Sequence, residues 1–150
     1  MKLSNGFDIS ASALTAQRMR MDVISSNIAN AEVTRGSYVN GKFEPYKRKL
    51  VVLEPTQQSF SSLLAGQMGG KENVSGVRVS RIQEDQTPNK LVYNPSHPDA
   101  DEQGYVHMPN VDVAKEMVDM ISASRAYEAN VTAINATKAM FVKALEIGRA

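Results

Sequence analysis

The chain has 150 residues, 42% of them apolar, and its 17 basic and 16 acidic side chains leave a net charge of +1. This length allows one modest hydrophobic core, and the near-neutral charge argues against nucleic-acid or anionic-lipid binding. The absence of cysteine excludes disulfides, thiolate catalysis and cysteine-ligated metal centres. No apolar run reaches the roughly 18 residues that cross a bilayer, and the first eight residues contain no apolar core of a cleaved signal peptide.

The first predicted element is a helix over residues 5–31. A heptad spacing predicts a narrow, partly polar seam formed by two rows of residues, namely Phe7, Leu14, Met21 and Ile28, then Ser10, Gln17, Ile24 and Ala31. Asn27 and Asn30, followed by Gly36, are typical of a helix end and a turn. Either asparagine could end this helix or form a hydrogen bond to the second one.

The middle of the chain, residues 37–108, has a strand-like pattern. Asn40-Gly41 lies between aromatic and branched residues and predicts a hairpin turn. Further strand candidates are residues 49–54, 77–82, 91–93 and 105–108. Residues 55–76 are rich in Ser, Gln and Gly, and we interpret them as a loop.

The last predicted element is a helix over residues 111–148. Asn110 or Asp112 could cap its start, and Gly148 lies near its end. At 1.5 Å per residue it would be about 55 Å long, which is more typical of a coiled coil than of a globular helix. Its two heptad rows are Val113, Met120, Tyr127, Ile134 and Phe141, then Met117, Ser124, Val131, Lys138 and Leu145.

These elements predict an α+β chain in three parts: a helical segment at 1–36, a small β-rich module at 37–108 with its loop near 55–76, and a long helix at 109–150. Pairing of the two helices would cover their apolar seams in a coiled-coil-like core to which the β-rich module is attached. Periodicity alone supports an intramolecular core and packing between subunits equally well.

Motifs at both ends resemble those of one family. The stretches SALTAQR (12–18) and SNIANA (26–31) are similar to the N-terminal signature of the flagellar rod and hook axial proteins. GYVHMPNV (104–111), EMVDM (116–120) and SRAYEAN (124–130) are similar to its C-terminal signature, and KLVYNP (90–95) resembles the proximal-rod members. The short middle also fits those members, because distal-rod and hook subunits carry longer insertions.

The resemblance implies a non-enzymatic subunit of the proximal rod of the flagellar basal body, without cofactors. Such subunits are exported unfolded by the flagellar type III apparatus without signal cleavage, assemble helically, transmit torque and line the export channel. Implied partners are copies of the chain, other rod subunits, the ring–rod adaptor and the MS-ring region, with no nucleic acid or direct lipid contact. The candidate interface residues are Phe7, Leu14, Gln17, Met21, Ile24, Asn27, Ile28, Asn30, Val113, Met117, Met120, Arg125, Tyr127, Asn130, Val131, Ile134, Phe141 and Leu145.

Competing sites are less well supported. Asp99 and Asp101 follow the opening of a calcium loop, but its twelfth position is Asn110 rather than a bidentate Glu, so we expect a solvated turn. The histidines, His97 and His107, lack partners at metal-ligand spacing. The basic run at 47–49, with Lys42 and nearby aromatic residues, is small for a nucleic-acid platform.

Other function classes remain for comparison. A cytoplasmic coiled-coil adaptor or export chaperone would have the same helices without being exported, so cell fractionation distinguishes it. A small hydrolase is disfavoured because no nucleophile and base occur at a motif spacing, and the glycines at 66, 69 and 70 lack the G-K-[S/T] ending of a phosphate loop.

Overall fold

The computed structural model describes residues 3–39, 41–56 and 76–148. The described elements confirm the α+β prediction, with a helix near each end and short strands between, in the order α1 (Leu3–Ala29), β1 (Ser37–Val39), β2 (Lys42–Glu44), β3 (Lys49–Pro55), β4 (Val77–Glu84), β5 (Lys90–Tyr93), β6 (Tyr105–Met108) and α2 (Val113–Ile147). Most of the predicted loop at 55–76 lies outside the described residues.

Both helices have ends that the sequence explains. Between the two predicted caps of α2 the structure selects Asp112, whose Oδ1 accepts a hydrogen bond from the Ala114 amide at 3.1 Å. The other end of α2 is closed by the Gly148 amide, which donates to the Ala144 carbonyl. At the end of α1, the Asn30 side chain donates to the Ser26 carbonyl at 2.8 Å. The 35 residues of α2 give a helix about 52 Å long.

The strands within the described ranges form three two-stranded sheets, β1–β2, β3–β4 and β5–β6. In the first, Val39 pairs with Lys42, so β1 and β2 form the hairpin that the sequence predicts here. Gly41 has a φ of +82°, a backbone conformation that other residues adopt at a cost. In the third sheet, antiparallel pairing places Tyr93 opposite Tyr105.

Contacts within the chain divide it into two units. The first contains the described residues of Met1–Met19, Val52–Arg81 and Ala123–Ala150, and the second contains Arg20–Val51 and Ile82–Ser122. In the first unit, Ala16 and Ala123 are buried, and the Ser12 hydroxyl accepts a hydrogen bond from the Val77 amide at 3.1 Å. The predicted division at residues 36 and 108 stays a prediction.

The second unit has a mixed core. Its buried apolar residues are Val23, Ile24, Val106 and Val111. Two polar side chains, Asn27 and Glu116, are buried with them, each only 1% exposed. Burial of a carboxylate requires charge-paired, hydrogen-bonded partners, so this unit must supply them.

Candidate functional site

The interface candidates on α1 are partly or fully covered within the chain. Ile24 and Asn27 are buried, and the others are half-buried: Phe7, Leu14, Gln17, Met21, Ile28 and Asn30. The deepest positions also include Ala16 and Val23, which lie outside both predicted heptad rows. Ala16 and Val23 are themselves seven residues apart, so the buried stripe keeps the predicted spacing but extends to the position before the row that contains Gln17 and Ile24.

The candidates on α2 divide more sharply. Five are half-buried, namely Met120, Tyr127, Asn130, Val131 and Ile134, whereas five are exposed, namely Val113, Met117, Arg125, Phe141 and Leu145. The buried positions of α2 are Glu116 and Ala123, one residue before the predicted row that contains Met117. A prediction from the spacing of large apolar residues misses both positions, because Glu116 is charged and Ala123 is small.

Asn27 is the centre of a polar junction, which we define as Asn27, Tyr46, Arg48, Lys49 and Glu116. The Asn27 Oδ1 accepts hydrogen bonds from the Lys49 amide at 2.9 Å and the Tyr46 hydroxyl at 3.0 Å. Its Nδ2 donates to the Lys49 carbonyl at 2.9 Å and to Glu116 Oε2 at 3.0 Å. The amide therefore binds the Lys49 backbone as a neighbouring strand would, and it links α1, β3 and α2.

The negative charge of Glu116 is balanced by an ion pair with Arg48. The Arg48 guanidinium reaches Glu116 Oε1 through Nε and through a terminal nitrogen, each at 2.6 Å. Charge-assisted bonds of this kind are the strong class of hydrogen bond. Glu116 also lies in the first turn of α2, where the helix dipole favours a negative charge.

Two further carboxylates surround Arg48, Asp85 at 3.4 Å and Asp119 at 3.7 Å. Hydrogen bonds from the Thr87 hydroxyl and amide, and then the Arg48 guanidinium, hold the pKa of Asp85 below its usual value. The Asn110 side chain accepts from the Arg48 amide at 2.8 Å and donates to the Thr87 carbonyl at 3.1 Å. Asn110, the other residue predicted as a possible cap of α2, therefore does not cap the helix but links the segment before it to the junction.

The predicted basic run does not form one basic surface. Arg48 turns into the junction, and Lys47 pairs with Glu44 at 3.1 Å. Lys49 lies 5.8 Å from the centre of the Tyr46 ring. These arrangements give the run local structural partners rather than the open, aromatic-lined groove that single-stranded nucleic acid requires.

Asp99, at the start of the segment that resembles the opening of a calcium loop, accepts hydrogen bonds from protein groups. Arg35 donates to its Oδ1 and the Thr34 hydroxyl to its Oδ2, the latter at 2.7 Å. These hydrogen bonds, from Arg35 first and then from Thr34, hold the pKa of Asp99 below its usual value. His97 Nδ1 accepts from the Asp99 amide. The turn thus connects to the segment after α1.

Large apolar side chains are exposed on both ends of α2. Near its start they are Val113, Met117, Val118 and Ile121. Near its end they form a set that we call the C-terminal apolar surface, namely Met140, Phe141, Val142, Leu145 and Ile147. Leu145 is 60% exposed and Ile147 is 78% exposed. Exposed apolar groups of this size, close together, are typical of protein–protein contacts.

The described residues contain no cluster of metal-ligating side chains and no helix that could cross a membrane. Across 3–39, 41–56 and 76–148 there is no group of three or more His, Asp or Glu side chains placed to hold a metal ion. Within the same ranges, neither helix combines the length and apolarity needed to cross a bilayer. Besides the polar junction and the exposed apolar surfaces of α2, large apolar side chains are exposed on the strands, among them Tyr38, Phe43 and Leu91.

Comparison with known proteins gives two family matches and several close relatives. Residues 7–36 match the family described as flagella basal body rod protein, and residues 102–147 match that described as flagellar basal body rod FlgEFG protein C-terminal. The chain is 57% identical to the flagellar basal-body rod protein FlgC of Bacillus subtilis, over 99% of this chain and 100% of the relative. It is 46% identical to FlgC of Yersinia enterocolitica, over 99% and 100%, and 43% identical to FlgC of Borreliella burgdorferi, over 98% of each.

Proposed function

Because the chain belongs to the FlgC family of flagellar basal-body rod proteins and is a structural subunit of the basal-body rod, we propose that it joins its neighbours through the exposed apolar surfaces of α2. Its place is the flagellar basal body. The relatives give no support to the alternative of a cytoplasmic adaptor or export chaperone.

The observation that carries the proposal is the C-terminal apolar surface. Every residue from Lys138 to Gly148 is exposed, on all sides of the helix. A helix that buries none of its apolar side chains gains little from tertiary packing, which normally supplies most helical stability. Contact with neighbouring subunits would supply that packing, and a repeated head-to-tail contact that does not close produces a helical assembly.

The predicted interface residues then take two roles in the proposal. Those buried within the chain, Ile24 and Asn27, support the fold of the subunit. The exposed ones on α2, such as Met117, Phe141 and Leu145, contact neighbours directly. The half-buried candidates lie between these groups and complete their burial on assembly.

The finer parts of the function are also proposals. We place the chain in the proximal rod, where it transmits torque and lines the export channel. Its neighbours would be copies of itself, other rod subunits, the ring–rod adaptor and the MS-ring region, after export by the flagellar type III apparatus. A tube built from such contacts requires neither a cofactor nor a catalytic group.

Leu145→Asp tests the contact directly. Leu145 is exposed, so we expect the urea midpoint of the purified chain to change by less than the equivalent of about 1 kcal/mol, through the lower helix propensity of Asp and its charge in the last turn of α2. A carboxylate buried at a subunit contact is costly, and we therefore expect loss of motility and of the subunit from isolated basal bodies. The measurement uses a flagellated strain in which the variant replaces the resident gene.

Leu145→Met is the matched control, because it keeps an apolar side chain of similar volume. It should restore motility and normal recovery of the subunit in basal bodies. Normal motility and normal subunit content with Leu145→Asp would show that the C-terminal apolar surface is not a contact.

A further inference from the structure

We propose that Asn27 sets the register of the subunit: its amide fixes which residues of α2 lie opposite the last turns of α1. The structural part of the inference concerns the second unit alone. Its consequence for assembly rests on the proposed function, because a rod subunit must present the same surface in every copy.

The hydrogen-bonding capacity of Asn27 is fully used. Its two N–H groups reach the Lys49 carbonyl and Glu116, and its oxygen accepts from the Lys49 amide and the Tyr46 hydroxyl. Asp has no donor for the Lys49 carbonyl, and Leu has neither donor nor acceptor. The site therefore specifies an amide and not merely a polar residue.

The contacts also attach both helices to the same place in the chain, the adjacent residues Arg48 and Lys49. Asn27 joins α1 to the backbone at Lys49, and Glu116 joins α2 to the adjacent Arg48 side chain. Asn27 also donates a hydrogen bond directly to Glu116. The positions of the two helices are therefore both set by contacts to the start of β3. Apolar packing is non-directional and does not provide this selectivity by itself.

A slipped register would leave the junction unpaired. Moving α1 by one turn brings Val23 or Ile24 to the position of Asn27, and Glu116 then loses a donor while it is 1% exposed. Asn30 is the amide one turn later, but its Nδ2 already donates to the Ser26 carbonyl where α1 ends. A single buried Asn is known to fix helix register in coiled coils through the same penalty.

Distance measurement between spin labels tests the register in the purified full chain. The chain has no cysteine, so labels attach only at introduced sites. Ser25→Cys and Ser122→Cys lie at exposed positions of α1 and α2 in the second unit. We expect one narrow distance peak in this labelled background, and a second peak shifted by up to about 5 Å, the rise of one helical turn, when Asn27→Leu is added.

Val106→Ala is the control for lost stability. Val106 is buried in the same unit and takes no part in the junction, so its truncation weakens the core without releasing the register. We expect a lowered urea midpoint for Val106→Ala, with the distance peak still single. A folded Asn27→Leu chain with one unshifted peak would overturn the proposal.

Asn27→Ala provides a second test if Asn27→Leu does not fold. It removes the whole amide without placing a larger branched side chain in the junction. We expect a second distance peak with this variant as well, and a single unshifted peak would overturn the register proposal.

The assembly consequence is measured separately in basal bodies. We expect Asn27→Leu to reduce subunit recovery at least tenfold and Val106→Ala to leave it near normal; equal recovery would refute the consequence. If the unsubstituted chain itself were absent from basal bodies, the proposed function would fall while the distance result stood.

Discussion

Removal of the Arg48 guanidinium should lower the free energy of unfolding, because it leaves the buried Glu116 carboxylate without its charge partner. Arg48→Met keeps most of the apolar stem of the side chain but deletes both contacts to Glu116. The carboxylate would then remain buried, with Asn27 as its remaining side-chain donor in the junction. The variant therefore tests whether the ion pair is required because its two members are buried together.

The expected magnitude follows from burial. Breaking a buried ion pair by removing one partner costs about 3–5 kcal/mol, whereas small domains are stable by only about 5–15 kcal/mol. With an m-value of about 2 kcal/mol per molar urea, the midpoint should fall by about 2 M. The contacts of Arg48 to Asp85 and Asp119 are longer and more exposed, and should contribute little.

Urea unfolding followed by circular dichroism measures the loss, and a double substitution checks its cause. Arg48→Met/Glu116→Leu leaves no buried charge and one unpaired N–H on Asn27, so its stability should return to within about 1–2 kcal/mol of the unsubstituted chain. Lys47→Met is the matched control, because its exposed pair with Glu44 should contribute under about 1 kcal/mol. A double variant as unstable as Arg48→Met alone would refute the unpaired-charge explanation.

Two further predictions concern pH and a turn. Arg35 and Thr34 lower the pKa of Asp99, so their contacts stabilise the fold above the ordinary carboxyl pKa of 3.8 and are lost as the pH falls through the lowered value. Asp99→Asn should reduce the fall of the urea midpoint below about pH 4, and an unchanged fall would contradict this. Gly41→Ala should destabilise the chain by about 1 kcal/mol in thermal unfolding, because Gly41 has a φ of +82°, which Ala adopts at a cost. Gly6→Ala inside α1 should instead stabilise the chain by about 0.5–1 kcal/mol, because Ala has the higher helix propensity. Equal effects of the two glycine substitutions would contradict the turn argument.

Local sequence determined much of the secondary structure. The predicted helices at 5–31 and 111–148 match α1 and α2 to within two residues at each end, because alanine-rich or uninterrupted helical stretches end at recognisable caps and turns. Asn40-Gly41 placed the first hairpin, and the short branched and aromatic runs placed the later strands. The signatures near the two chain ends pointed to the flagellar family, which the relatives confirm.

Tertiary structure alone decided which face of each helix is buried and why. Sequence alone favours surface positions for Glu116 and Arg48, because charged side chains are rarely buried unless they are paired with an opposite charge. Their partners are distant in the chain: Glu116 lies 89 residues from Asn27 and 68 from Arg48. Seven-residue spacing predicts that a helix has a buried stripe, but these long-range hydrogen bonds fix the position of that stripe around Asn27 and Glu116.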